Sequence, residues 1–202
     1  MPERLSVLAP QLAAGGRDGA HGARAYRFTV MQGWRLLLLA AYRGQHESFA
    51  QALAPALGQA PMREPRQTQL LERGQLLNVA PGQHWLISTD LSLSDAVLAA
   101  APAALGSATE LSHSRVRLAV HGAEVPALLA RGITVDMDPA AFGVGQFVQT
   151  GLHHVGVLLH CTAAASYELY LPRTFALSLW EWLCDAALAE GFEVGVVTVH
   201  PG

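Results

Sequence analysis

A chain of 202 residues, 51% hydrophobic and 14% charged, is one large domain or two small ones and buries an apolar core without disulfide staples. A net charge of −3 with no basic cluster excludes a nucleic-acid footprint, and the complete lack of lysine excludes Schiff-base and P-loop lysine chemistry. No apolar run reaches the length of a membrane span, and two cysteines, Cys161 and Cys184, fit a reduced cytoplasmic setting rather than a disulfide framework.

The opening MPERLSVLAPQLAAGG lacks the basic and apolar regions of a signal peptide. Residues 1–24, rich in Ala, Gly and Pro, are expected to form a flexible arm. Arg35 to Tyr42 reads as a strand, and Phe49, Leu53 and Leu57 at i, i+4, i+8 predict a helix from His46 that stops at Gly58. Gln59 to Gly74, with two prolines, is expected to be a surface loop. Gln75–Val79 and His84–Ser88 flank Ala80-Pro81-Gly82-Gln83 as a hairpin. Asp90 or Ser92 caps a helix expected to run to Leu105 and stop at Gly106.

Arg115 to Val120 alternates Val116, Leu118 and Val120 with Arg115, Arg117 and Ala119 as a strand, followed through Gly122 by a helix, Ala123 to Arg131, that stops at Gly132. Asp136 to Phe142 is a turn. Gln146–Thr150 and His154–His160 predict a hairpin around Gly151. Ser166 to Leu171 is a strand with Tyr167, Leu169 and Leu171 inward and Ser166, Glu168 and Tyr170 outward, and Pro172 opens a helix that ends at Gly191. Val194 to Val199 closes the chain as a strand.

The last helix confines polar residues to Ser178, Glu181 and Asp185, leaving an apolar arc of roughly 260°, far wider than the ~100° one sheet requires. Another helix of the same chain or a partner subunit covers the surplus, and Trp182 and Leu188 lie at its borders. Arg173, odd for the dipole at a helix start, is expected to pair with a carboxylate.

The two halves repeat one order: strand, helix, strands, helix, strand. That is the split βαβ, ferredoxin-like plan occurring twice, so the expected class is α+β, with residues 25–110 as the first half and 111–202 as the second.

Chemistry is sparse. His153 and His154, adjacent on a strand, point to opposite faces and do not share a metal site easily with His160. Asp136 and Asp138 face one way if extended, as paired carboxylates for acid–base or cation work, or else cap a turn before Pro139. Gly143-Val144-Gly145 is too short for a dinucleotide loop. Ser112-His113-Ser114 lacks an acid partner, and Cys184 reads as a core thiol. The residues alone supply no catalytic constellation and no metal site.

From Leu111 to Phe192 the chain resembles the gamma subunit of heterotetrameric sarcosine oxidase. The resemblance rests on Asp136, Pro139 and Phe142 as an Asp-x-x-Pro-x-x-Phe turn, on Gly145 and Thr150, and on Arg173-Thr174-Phe175-Ala176 opening a Trp-rich helix with Trp180 and Trp182; Thr174 replaces the family's Ser. Trp85 and Leu86 match a worn Trp-Leu segment further back.

The resemblance implies a fold similar to the glycine-cleavage aminomethyltransferase and its folate-binding relatives. It also implies a complex that oxidatively demethylates sarcosine, or a related N-methyl amine, to glycine with hydrogen peroxide and formaldehyde or methylenetetrahydrofolate. FAD, FMN, NAD and tetrahydrofolate are then expected on the larger partners among the alpha, beta and delta subunits, with no cofactor and no catalytic residue on this chain. Trp182, Leu188, Trp180 and Arg173 are the interface candidates. The alternatives are a free-standing folate-binding or one-carbon transfer protein, whose clustered pocket candidates are Asp136, Asp138 and Phe142, and a non-metabolic interaction scaffold.

Overall fold

The structure, a computed structural model, describes residues 7–12 and 15–198. In chain order the elements are α1 Ala9–Leu12, β1 Arg17–Asp18, β2 Tyr26–Gln32, β3 Arg35–Ala41, α2 His46–Leu57, β4 Thr68–Leu71, β5 Gly74–Ala80, β6 Gln83–Ser88, α3 Leu91–Ala100, β7 Gly106–Glu110, β8 Arg115–His121, α4 Val125–Ala130, β9 Phe147–Leu152, β10 Val155–Ala163, β11 Ser166–Pro172, α5 Ala176–Ala186 and β12 Gly191–Thr198. They form two compact units. One is Gly33–Ser112, and the other joins the described residues up to Gln32 with His113–Thr198.

In the Gly33–Ser112 unit an antiparallel sheet runs β4-β5-β6-β3-β7. β3 and β5 are parallel with β6 between them, and α2 makes the crossover, so this is a split βαβ plan extended by β4 at one edge. β3 reads as an unbroken apolar run because Leu36 and Leu37, on opposite faces, are both buried. Phe49, Leu53 and Leu57 of α2 and Leu93 and Val97 of α3 pack on Leu37, Leu39, Leu76 and Leu86. Asp90 caps α3 by accepting from the Ser92 and Leu93 N–H groups. The helix stops at Ala100 rather than at the expected Leu105, because Pro102 holds Ala101 extended.

The second unit repeats the order with an insertion. Its sheet runs β1-β12-β2-β8-β11-β10-β9, antiparallel except for the parallel β12–β2 pair. Matching β8 to β3 and β12 to β7 places β2 between two strands whose counterparts pair directly in the first unit. The α+β class and doubled split-βαβ plan are therefore present.

The boundaries differ from the expected 25–110 and 111–202, because β2 joins the later sheet. The expected arm over residues 1–24 is also docked where it is described: Leu8 is fully buried in the second core, and Arg17 and Asp18 pair with Phe192 and Gly191. Residues 1–6, 13 and 14 of that arm lie outside the described residues.

Other local differences have local causes. The expected loop Gln59 to Gly74 contains β4, and its first part is tied down by side-chain amides. Gln69 accepts from the Met62 N–H at 2.7 Å and donates to Ala60 O at 2.8 Å. The hairpin expected around Gly151 turns instead at His153-His154, both at positive φ (47° and 67°), the pairing that suits a two-residue turn with the right-handed strand twist.

The last helix begins at Ala176, after a 3-10 turn at Arg173–Phe175, and ends at Ala186. Gly191 does take φ +78°, but as the start of β12. A Cβ there would lie 2.3 Å from both Gly19 N and Ala23 O, so the close approach of the N-terminal segment requires glycine. Of the four glycines expected to end helices, only Gly58 is a left-handed cap directly after one.

Candidate functional site

The pocket candidates separate. The Asp136 carboxylate accepts the Asp138 N–H at 3.0 Å, and the Asp138 carboxylate accepts the Ala140 N–H at 2.8 Å. Both side chains are spent on the backbone of their own exposed turn. Phe142 turns the other way, fully buried and stacked on Tyr167 with centroids 6.3 Å apart. Ser112 is a brace: its Oγ accepts the Leu36 N–H and donates to Glu110. Burial, then the neighbouring Asp185 charge, pushes the Cys184 thiol up to about 11, which keeps it protonated and unreactive. Among the described residues no three His, Cys, Asp or Glu side chains stand close enough to hold a metal ion.

A polar cluster that the sequence places on a wet strand face is buried instead. β8, β11 and β10 put Arg117 opposite Tyr170 and Glu168 opposite His160 across the sheet, all on the face away from the helices. Arg117 Nη2 donates to Glu168 Oε1 at 2.6 Å, and the Tyr170 hydroxyl donates to Oε2 at 2.6 Å. The guanidinium also lies 5.9 Å from the Tyr170 ring centroid. The Arg117 and Glu168 side chains are only 12% and 9% exposed.

Burial alone would raise the Glu168 pKa. His160, the Arg117 charge and the hydrogen bonds from Arg117 and Tyr170 outweigh it and hold the carboxyl at about 2. His160 Nδ1 stands 3.8 Å from Oε2, longer than a hydrogen bond, so the larger share goes to the two 2.6 Å bonds. A carboxylate held this firmly ionised is no proton donor or acceptor near neutral pH; the cluster is a rigid internal ion pair.

The helix α5 also departs from expectation. Trp180 is a core residue, 4% exposed, edge-on to Phe28 with centroids 5.9 Å apart, and it offers nothing to a partner. Trp182 is half-buried over Gly132 and Leu152, and the His153 ring lies 4.9 Å from it. The flank of the apolar arc at Trp182 is thus covered from within the chain, by Gly132, Leu152 and His153. Arg173 is half-buried in the 3-10 turn. Leu188 stays 43% exposed, and Phe175 and Leu177 join it as exposed apolar side chains. The exposed polar positions of α5, Ser178, Glu181 and Asp185, are legible in the sequence; the exposure of Leu177 is not, nor are the neighbours of Trp182, which come from segments about 30 and 50 residues earlier.

The model of the sarcosine oxidase gamma subunit family matches residues 45–190. The chain belongs to that family. Its structure is similar to a chain of the heterotetrameric sarcosine oxidase from Corynebacterium sp. U-96 in complex with pyrrole 2-carboxylate, with TM-score 0.79 and 25% identity over 91% of this chain and 94% of that one. It is also similar in fold to the glycine cleavage system aminomethyltransferase T from Bartonella henselae, with TM-score 0.60 and 17% identity over 89% of this chain. The chain spans 49% of that protein. No curated protein shows a significant match.

Proposed function

We propose that this chain is the gamma-type, non-catalytic subunit of a heterotetrameric sarcosine oxidase-like flavoenzyme, an oxidoreductase that oxidatively demethylates sarcosine or a related N-methyl amine. The observation that carries this reading is the end-to-end likeness to a chain of such a complex, 91% of one against 94% of the other. In this reading FAD, FMN, NAD and tetrahydrofolate belong to the alpha and beta subunits, the delta subunit completes the assembly, and the complex works in the cytoplasm. Among the described residues no helix is long and apolar enough to cross a membrane.

The free-standing folate reading is weaker, because Asp136 and Asp138 cap their own turn and Phe142 is core. The exposed Leu188, Phe175 and Leu177 are proposed to face a partner, with half-buried Trp182 and Arg173 contributing at the margin.

The test is co-expression of tagged chain with the oxidase subunits of its own source, followed by affinity capture and assay of sarcosine-dependent hydrogen peroxide formation. A flavin-bearing complex that oxidises sarcosine is expected, with neither flavin absorbance nor oxidation from the chain alone. A yellow, active preparation of the chain alone would overturn the non-catalytic assignment, and failure to capture any flavoprotein subunit would overturn the assembly.

A further inference from the structure

Within the Gly33–Ser112 unit, residues 60–63 are held against the sheet by side chains rather than by a strand ladder. Gln69 of β4, Asn78 of β5 and His84 of β6 stand on one face of the five-stranded sheet, the face that carries Leu76 and Leu86. Gln69 accepts the Met62 N–H at 2.7 Å and donates to Ala60 O at 2.8 Å. Asn78 Nδ2 donates to Arg63 O at 2.8 Å, and His84 Nε2 bonds Met62 O at 2.9 Å. A ring nitrogen facing a carbonyl is the donor, so in the neutral ring Nε2 carries the proton and Nδ1 does not.

Little else holds the segment. Pro61 is buried, but Met62 to Gln67 are all exposed, and the ion pair from Arg63 to Glu47 of α2 lies in solvent, where such pairs add little. Closure also carries two costs. Asn78 Oδ1 is buried with no hydrogen-bond partner, and Arg66 sits at φ 64°, left-handed for a residue other than glycine. A segment pinned by polar bonds over so little apolar area opens at low cost relative to the sheet beneath it.

We propose that residues 60–67 form an acid-released strap, latched by His84 at neutral pH and lifted when that ring takes up a proton, which uncovers the polar row of Gln69, Asn78 and His84 on the sheet. Burial disfavours the imidazolium and pulls the His84 pKa below the usual histidine value, and the Met62 carbonyl opposes this only in part. Lifting the strap returns the ring to water and to an ordinary pKa of 6.5. The lifted form therefore binds the proton more tightly. The contribution of His84 to closure is complete above pH 6.5 and is lost as pH falls through the folded value.

Opposite His84 the neighbouring strands present Leu39 and Asn78, neither of them charged. The strap carries Arg63, Glu64 and Arg66, and α2 carries His46 and Glu47. His46, whose ring packs at Gly82, is the other histidine nearby and serves as the control.

Amide hydrogen exchange of the full chain at pH 7.5 and 5.5, each rate divided by that of an unstructured peptide at the same pH, tests the latch. The Met62 N–H is bonded to the Gln69 side chain and reports the strap, whereas the Leu39 N–H, in the strand between β6 and β7, reports the sheet. Protection of Met62 should fall by about three- to tenfold over this range, roughly tenfold being the limit for one proton at these pH values, while Leu39 holds level. His84→Gln, which keeps a donor and cannot take up a proton, should leave Met62 protection independent of pH, and His46→Gln should behave as wild type. Level Met62 protection in the wild type, an equal fall in His84→Gln, a fall abolished by His46→Gln, or a parallel fall at Leu39 overturns the proposal. Should His84→Gln fail to fold, NMR titration of the His84 ring in the wild type decides: a ring that titrates below 6.5 supports the latch, and one that titrates at or above 6.5 overturns it.

Discussion

Replacing Glu168 by Gln tests whether the buried cluster is an ion pair that the fold depends on. The change keeps the shape of the side chain but leaves Arg117, 12% exposed, without its carboxylate. Breaking a buried pair from one side costs ~3–5 kcal/mol. The pH dependence supplies an independent magnitude. Glu168 titrates at about 2 in the folded protein against 4.5 for a free carboxyl, so its folded pKa is depressed. Its contribution is therefore complete above pH 4.5 and is lost as pH falls from 4.5 toward 2, a difference of ~3 kcal/mol. Urea unfolding of wild type and Glu168→Gln at pH 7 and at pH 2.5 should show the stability gap shrinking by most of that amount in acid. The double variant Arg117→Met with Glu168→Leu, which removes both charges but leaves the buried Tyr170 hydroxyl without its acceptor, should recover to within ~1–3 kcal/mol of wild type at pH 7. A gap that is as wide at pH 2.5 as at pH 7, or a double variant less stable than Glu168→Gln, would refute the reasoning.

Three further substitutions bear on the α5 surroundings. A Cβ on Gly132 would lie 2.8 Å from Trp182 Cζ2 and 2.9 Å from Leu152 Cδ1, so Gly132→Ala should lower stability by ~1–3 kcal/mol in denaturant unfolding. Trp182→Ala, which loses a half-buried ring, should lower the melting temperature of the isolated chain, though less than Leu179→Ala, whose fully packed site predicts ~2–5 kcal/mol; equal melting of Trp182→Ala and wild type would mean that His153 and Gly132 do not cover the ring in solution. His154→Gly relieves a side chain held at φ 67° and should raise stability by up to ~1 kcal/mol, which a thermal scan detects.

The repeated plan was legible because its elements carry strong periodic signals: Leu36–Leu39 in β3, Phe49, Leu53 and Leu57 in α2, and the alternation in β8 and β11. What escaped had weak or misleading local patterns. β7 is Gly-Ser-Ala-Thr-Glu, small and polar, and is a strand only because β3 offers it a ladder. β4 sits among polar residues and prolines and is fixed by Gln69 from outside the hydrogen-bond ladder. The Arg117–Glu168–Tyr170 cluster was read as a wet face because alternation assumes that one side of a strand meets water. Here Tyr170 is fully buried and Glu168 nearly so, and only the cross-strand register, which no single strand encodes, reveals that the charges meet each other. The opposite error made Trp180 an interface residue, since nothing local says that Phe28, some 150 residues earlier, lies against it.

β2 ties the two ends of the chain together, and this has a consequence for folding. It lies between β8 and β12 and contributes Tyr26, Phe28 and Val30, each at most 1% exposed, to the second unit's core. Bringing β2 to that sheet closes a loop over Gly33–Ser112, about 80 residues, at a chain-entropy cost of ~4 kcal/mol. Burying the three side chains returns ~5–9 kcal/mol, so the closure is favourable by a margin no larger than the stability of a typical domain. A fragment of residues 111–202, which the sequence alone marks as a self-contained half, should therefore fail to fold: without β2 its sheet is cut between β8 and β12, and Phe192 and Trp180 lose the Phe28 ring they both contact. Co-expressing residues 1–32 as a separate piece should restore a cooperative melt, because that piece supplies the missing strand without the intervening unit. A cooperative melt from residues 111–202 alone, matching that of the reconstituted pair, would show that β2 is an accessory to the sheet rather than the strand on which it closes.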